Sequence, residues 1–173
     1  DESMDGKRYG KRPQWARLLP EYLKSAGYRN YHSGKWHIDG KIIDAGFDRS
    51  FSFKKQDNFF RIDDATLDDK RVGPPTDVGP YYTTTGIATH AIDCLSSHAI
   101  DHPDRPFFQY IAFTAPHFPL HALPEDIAKY RDRYLEGWEA LREERHAKLK
   151  ELGIVDGRLS EIERRLGPPY HFQ

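Results

Sequence analysis

The spacing of apolar and polar positions changes several times along the chain, and each change predicts an element. In LLPEYLKSAGY, residues 18–28, Leu19 and Leu23 share a face, Pro20 suits a first helical turn and Gly27 a stop. That combination predicts a short helix. RNYHS then reads as a strand closing at Gly34, and DRSFSF as a second one, with Phe51 and Phe53 alternating with polar neighbours. Residues 54–80, with DDATLDD and VGPPTDVGP, carry no sustained period and read as a long loop or insertion. From Thr84 to about His102 a helical stripe of Ile87, Ala91, Cys94, Leu95 and His98 returns at three- and four-residue steps.

PFFQYIAF has the composition of a buried, parallel, central strand, with too little polarity for an edge. It leads into TAPHFPLHALPED, where three prolines enforce an extended loop. Pro124 opens a helix to Tyr130, and a longer one runs from about Leu135 to Leu152. Its apolar stripe is Trp138, Leu141, Leu149 and Leu152, with Glu144 and Lys148 spaced for a pair on the wet side. The order helix, strand, long loop, helix, strand, loop, helices predicts an α/β domain. In such sheets ligands sit beyond the carboxyl ends of the strands. Both chemically rich stretches, SGKWH and TAPHFPLH, follow directly on predicted strands.

Composition narrows the classes. A chain of 173 residues suits one domain, and 13% aromatics argue against disorder. A net charge of −1 gives no general pull toward nucleic acid, and the charges of residues 131–165 alternate in sign as on a solvated face. No apolar run approaches the roughly 20 residues of a membrane span. The single cysteine, Cys94, sits on an apolar helical stripe and reads as a buried structural thiol.

The candidate chemistry lies at the two strand ends. Lys35 and His37 stand two apart after Gly34, and on extended backbone they point to one side. A fixed positive charge beside a group that exchanges protons near neutral pH suits an oxyanion such as sulfate or phosphate. The alternative is that Trp36 and Ile38 face the core while Lys35 and His37 merely face water. His117, held between Pro116 and Pro119, is placed for proton transfer, and His121 is a weaker candidate for the same face. His32, His37, His117 and His121 show no ligand spacing typical of zinc, so no metal site is expected in this chain.

LPEYLKSAGYRNYHSGKWHIDG resembles a signature of the sulfatase family, L-P-x-x-L-K-x-x-G-Y-x-[ST]-x-x-x-G-K-W-H-x-G. GFDRSFSF is similar to the Gly-Phe-Asp segment that follows it there, and RPFFQYIAFTAPHFPLH to the strand leading into Ala-Pro-His-x-Pro. The resemblance implies a mixed sheet flanked by helices, as in the wider alkaline phosphatase superfamily, incomplete here. It implies sulfate monoester hydrolysis by a formylglycine nucleophile beside a Ca²⁺ ion, with Lys35 contacting the sulfate, His37 near the nucleophile, and His117 on the ester oxygen. It also implies a sulfated small molecule or glycan as substrate, and export from the cytoplasm. Asn30 stands where the signature prefers Ser or Thr, Asp39 is inserted before the closing glycine, and His121 where Gln is frequent.

The formylglycine box, the paired metal aspartates and the later Asp-Asn-Gly segment are not found, so residues 1–173 are expected to be the central part of a sulfatase domain, with 1–18 a polar loop, and inactive alone. A phosphodiesterase or phosphonate hydrolase of the same superfamily, or a truncated non-catalytic domain, are the alternative readings.

Overall fold

RNYHS becomes an interior strand of a sheet because both of its faces and both of its edges are covered. The structure, a computed structural model, describes residues 12–13, 15–53, 57–73 and 81–162. It divides into two units, Asp1–Leu123 and Pro124–Gln173. In the first, α1 (Leu19–Ser25), β1 (Arg29–Gly34), β2 (Arg49–Phe53), β3 (Ala65–Leu67), β4 (Lys70–Val72), α2 (Thr83–Asp101) and β5 (Phe107–Ala112) follow in that order. The sheet runs β4-β3-β2-β1-β5. β1 pairs parallel with β2 on one side and with β5 on the other, while β3 and β4 add antiparallel.

Alternate residues of β1 serve opposite faces. Toward α2, the Tyr31 hydroxyl lies 2.8 Å from His98 Nδ1, and Ser33 Oγ lies 2.7 Å from His90 Nδ1. His98 Nε2 donates to the Arg105 carbonyl at 2.9 Å, so its Nδ1 is the acceptor for Tyr31. Toward α1, Asn30 Nδ2 donates to the carbonyls of Pro20 at 2.8 Å and Gly46 at 2.9 Å. An amide has two protons to give where a Ser or Thr hydroxyl has one, so Asn30 bridges both carbonyls. Below it, Ile42, Ala45 and Phe47 form a buried cluster with Trp36 and Phe108 against them.

The Gly-Phe-Asp segment has a separate task for each residue. A Cβ on Gly46 would lie 2.7 Å from the Glu21 nitrogen, at a φ of +96°. Phe47 is buried, and the Asp48 carboxylate accepts from the Asn30 N–H at 2.8 Å and pairs with Arg29 at 2.9 Å. Together they lock the start of β2 beside β1.

Residues 54–80 are not a plain loop: β3 and β4 form a hairpin there that extends the sheet. Its two-residue turn, Asp68-Asp69, has φ of 50° and 61°, the left-handed geometry that favours such hairpins. The Asp68 carboxylate binds the Ser50 N–H at 2.8 Å, and Asp69 the Ile43 N–H at 2.8 Å, so the turn is tied to its neighbours. Three-residue strands with a polar turn carry too little periodicity to be seen in sequence. Residues 54–56 and 74–80, like most of the expected loop 1–18, lie outside the described residues.

β5 is parallel to β1 as expected, but it is the edge of the described sheet and is not buried. Phe107, Tyr110 and Ile111 are 48%, 44% and 42% exposed. Its apolar run encodes a strand covered on both sides, and the described residues supply cover on one side only.

In the second unit, α3 (Pro124–Tyr130) starts at the expected proline and α4 spans Gly137–Glu151. The apolar stripe of α4 is incompletely covered, Trp138 being 81% exposed. Glu144 and Lys148 do not pair. Glu144 meets Arg133, before the helix, at 3.0 Å, and Lys148 meets Glu151 one turn on at 2.8 Å.

Candidate active site

Register brings the two strand-end loops together. Gly34, the last residue of β1, pairs with Ala112, the last of β5, and the Lys35 N–H donates to the Ala112 carbonyl at 2.9 Å. The chain can pass this point only because residue 34 has no side chain. Its φ is +118°, and a Cβ would lie 2.0 Å from the Ala112 oxygen.

After Gly34 the strand geometry ends, so extended backbone is not what sets the directions of Lys35 and His37. Trp36 turns inward. Its ring meets His32 and Phe47 edge-on at 5.4 Å and 6.0 Å, and its Nε1–H donates to the Gly40 carbonyl at 3.3 Å. With Trp36 anchored, Lys35 and His37 flank it and line a cleft of about 740 Å³ together with Leu19, Phe108, Tyr110 and Phe113. No carboxylate among the described residues pairs with the Lys35 ammonium. A half-buried cation without a counter-ion is suited to an incoming anion.

His117 lies five residues beyond β5 on an exposed turn whose N–H donates to the Thr114 carbonyl at 2.9 Å. Its Nδ1 lies 2.6 Å from the Phe118 carbonyl, so Nδ1 carries the proton and Nε2 is the nitrogen left for exchange. His117 is not among the residues lining the Lys35 cleft; what joins them is their origin at adjacent parallel strand ends.

His121 is placed differently. Its Nδ1 accepts the Phe59 N–H at 3.3 Å, its ring packs on Phe59 and Phe60, and its carbonyl accepts the Tyr82 hydroxyl at 3.3 Å. It ties the β5 loop to residues 59–60 and to the start of α2.

Two further histidines lie on opposite faces of β1 near its end: His32, weighed in the sequence only as a zinc ligand, and His90. His32 is fully buried under the Lys35 turn, and burial lowers its pKa to about 4. His90, held by Ser33, is also lowered, by burial and then by Arg49. Cys94 is buried as expected, and burial pushes its thiol up to about 11, which leaves it inert as a nucleophile. Among the described residues no group of three or more His, Cys, Asp or Glu could hold a metal ion.

The adjacent parallel strands β1 and β5 end in a Gly-Lys-Trp-His turn and an Ala-Pro-His-x-Pro turn, which gathers both loops at the sheet edge where α/β folds bind ligands. The sulfatase family model matches residues 2–167, and the chain belongs to that family. It is 34% identical over 155 residues to an uncharacterised sulfatase of Schizosaccharomyces pombe, covering 79% of this chain and 27% of that protein. It is 30% identical over 154 residues to the arylsulfatase of Klebsiella aerogenes, covering 79% of this chain and 32% of that one.

A solved structure of BT4656 in complex with its substrate D-glucosamine-2-N,6-O-disulfate shares the fold at a TM-score of 0.58 and 23% identity. It covers 71% of this chain and 23% of that one. The chain therefore spans about a third or less of the relatives it matches.

Proposed function

We propose that this chain supplies the anion-binding and proton-transfer part of a sulfuric ester hydrolase of the arylsulfatase type. The observation that carries it is the Lys35 ammonium at the mouth of a cleft, with no carboxylate partner among the described residues, on a turn clamped to the end of the strand that leads to His117. Lys35 would bind a sulfate oxygen, and His37 stands two residues on at the same cleft. His117 would hold a proton on Nε2 for the departing alcohol oxygen, its Nδ1–H being committed to Phe118.

Sulfate esters of small molecules or glycans are the substrate class that these groups and the sulfatase relatives favour. The described residues do not form a calcium site, and Cys94 cannot be the formylglycine precursor while buried in α2. By likeness to the family, nucleophile and metal are proposed to come from other segments of the whole domain, and export is the proposed destination. The phosphodiesterase reading rests on the same lysine and histidines and differs only in the anion preferred.

Inorganic sulfate should inhibit the whole protein competitively, and Lys35→Ala should weaken that inhibition about 10- to 100-fold, the range expected for one charge-assisted contact. An unchanged inhibition constant would overturn the role given to Lys35.

A further inference from the structure

Lys35 is held through both of its backbone groups. Its N–H donates to the Ala112 carbonyl at 2.9 Å, and its carbonyl lies 3.3 Å from His32 Nε2. A carbonyl can only accept, so Nε2 of His32 carries the proton. The two bonds grip the peptide units on either side of the Lys35 Cα, one from β5 and one from β1 itself.

His32 is placed for this and for little else. It is 0% exposed, so no substrate reaches it. Its ring is enclosed by Trp36 and Phe47 edge-on at 5.4 Å each and by Tyr110 at 5.5 Å. Its other nitrogen, Nδ1, has no hydrogen-bond partner among the described residues. Packing alone would favour an apolar ring there, because an unpartnered buried nitrogen costs about 1–3 kcal/mol. A phenylalanine would fill the same space without that cost. What a histidine chiefly adds at this position is the Nε2–H aimed at the Lys35 carbonyl, the Phe51 backbone acting on the ring more weakly.

We propose that His32 is a positioning residue: it fixes the Lys35 turn from below, so that the ammonium faces the anion without rearrangement. This rests on the sulfate-site reading for its consequence, but not for its geometry. Burial keeps His32 neutral through the working range, its pKa being lowered to about 4, so the donor is present at any ordinary pH. His90, the Phe51 backbone and Asp69 act on its charge less than burial does, and the Lys35 carbonyl at 3.3 Å is its hydrogen-bond acceptor.

The test compares His32→Phe, which keeps the ring and removes the donor, with His32→Gln, whose amide can still donate at similar reach. Both are made in the whole protein. His32→Phe should match or exceed the wild type in thermal stability, yet raise the inhibition constant of inorganic sulfate about 3- to 10-fold, the range of one neutral hydrogen bond. His32→Gln should recover most of that affinity while being the less stable of the two. Amide exchange at Lys35 and Trp36 should be faster in His32→Phe than in either of the others.

The inference is overturned if affinity merely follows stability, or if exchange at the turn is the same in all three proteins. Should the wild type fail to bind sulfate at all, the functional reading falls. Faster exchange confined to His32→Phe would still uphold the clamp.

Discussion

His117→Ala in the whole protein should lower turnover of an aryl sulfate by about 10²–10⁴-fold, the usual worth of a positioned general acid. The size of the loss should depend on the leaving group. An alkoxide-like oxygen must be protonated as the S–O bond breaks, whereas an acidic phenol leaves unaided. His117→Ala should therefore steepen the dependence of rate on leaving-group pKa and be nearly silent for the most acidic phenols. The geometry explains why the role falls to Nε2: Nδ1 is 2.6 Å from the Phe118 carbonyl and has given its proton there. Measured rates for a series of substituted phenyl sulfates check this, and a parallel shift of the whole series would contradict proton donation by His117.

Gly34→Ala should be the most damaging small substitution in the sheet. Two costs combine at this residue: a left-handed φ of +118°, and a Cβ that would lie 2.0 Å from the Ala112 oxygen. The backbone conformation alone costs of order 1–3 kcal/mol. The clash falls on a backbone carbonyl that is already bonded to the Lys35 N–H, so relief requires β1 and β5 to separate at the site.

A total loss of about 3 kcal/mol or more is expected, with sulfate affinity lost alongside. Gly27 is the internal control, since its φ is +90° but no atom lies within 4 Å of the position a Cβ would take. Gly27→Ala should cost only the conformational part. Denaturant unfolding of the two variants separates the terms, and equal losses would show that the close approach at Gly34 carries no weight.

The parts of the fold that were legible in the sequence are those with a local signature. α1 announces itself by Pro20 and Gly27, α3 by Pro124, and α2 by a stripe that recurs over 19 residues. That β5 runs parallel in the sheet followed from its aromatic and β-branched composition. The hairpin of β3 and β4 was hidden because strands of three residues alternate too briefly, and Asp68-Asp69 is a weaker turn signal than a pair containing glycine. β5 misled in the opposite direction. Its composition reports the burial of a covered strand, while burial itself depends on neighbours that composition does not name.

The site shows the same division. Lys35, His37 and His117 could be picked out because each stands in a motif at a strand end. His121 stands in one too, but its neighbours Phe59 and Phe60 come from 62 and 61 residues earlier and claim its ring. His32 gave no signal, since a histidine inside a strand declares neither its burial nor the carbonyl it faces. The inward turn of Trp36, between the two polar residues, is the packing role that the sequence offered for it.

The central claim is that this constellation serves a sulfate ester. It is tested most directly by the ratio of kcat/KM for a sulfate monoester to that for a phosphodiester and a phosphonate monoester of the same phenol, measured on the whole protein. The account predicts that the sulfate ester is hydrolysed fastest. A preference for either phosphorus ester, or no hydrolysis of any of the three, would contradict it.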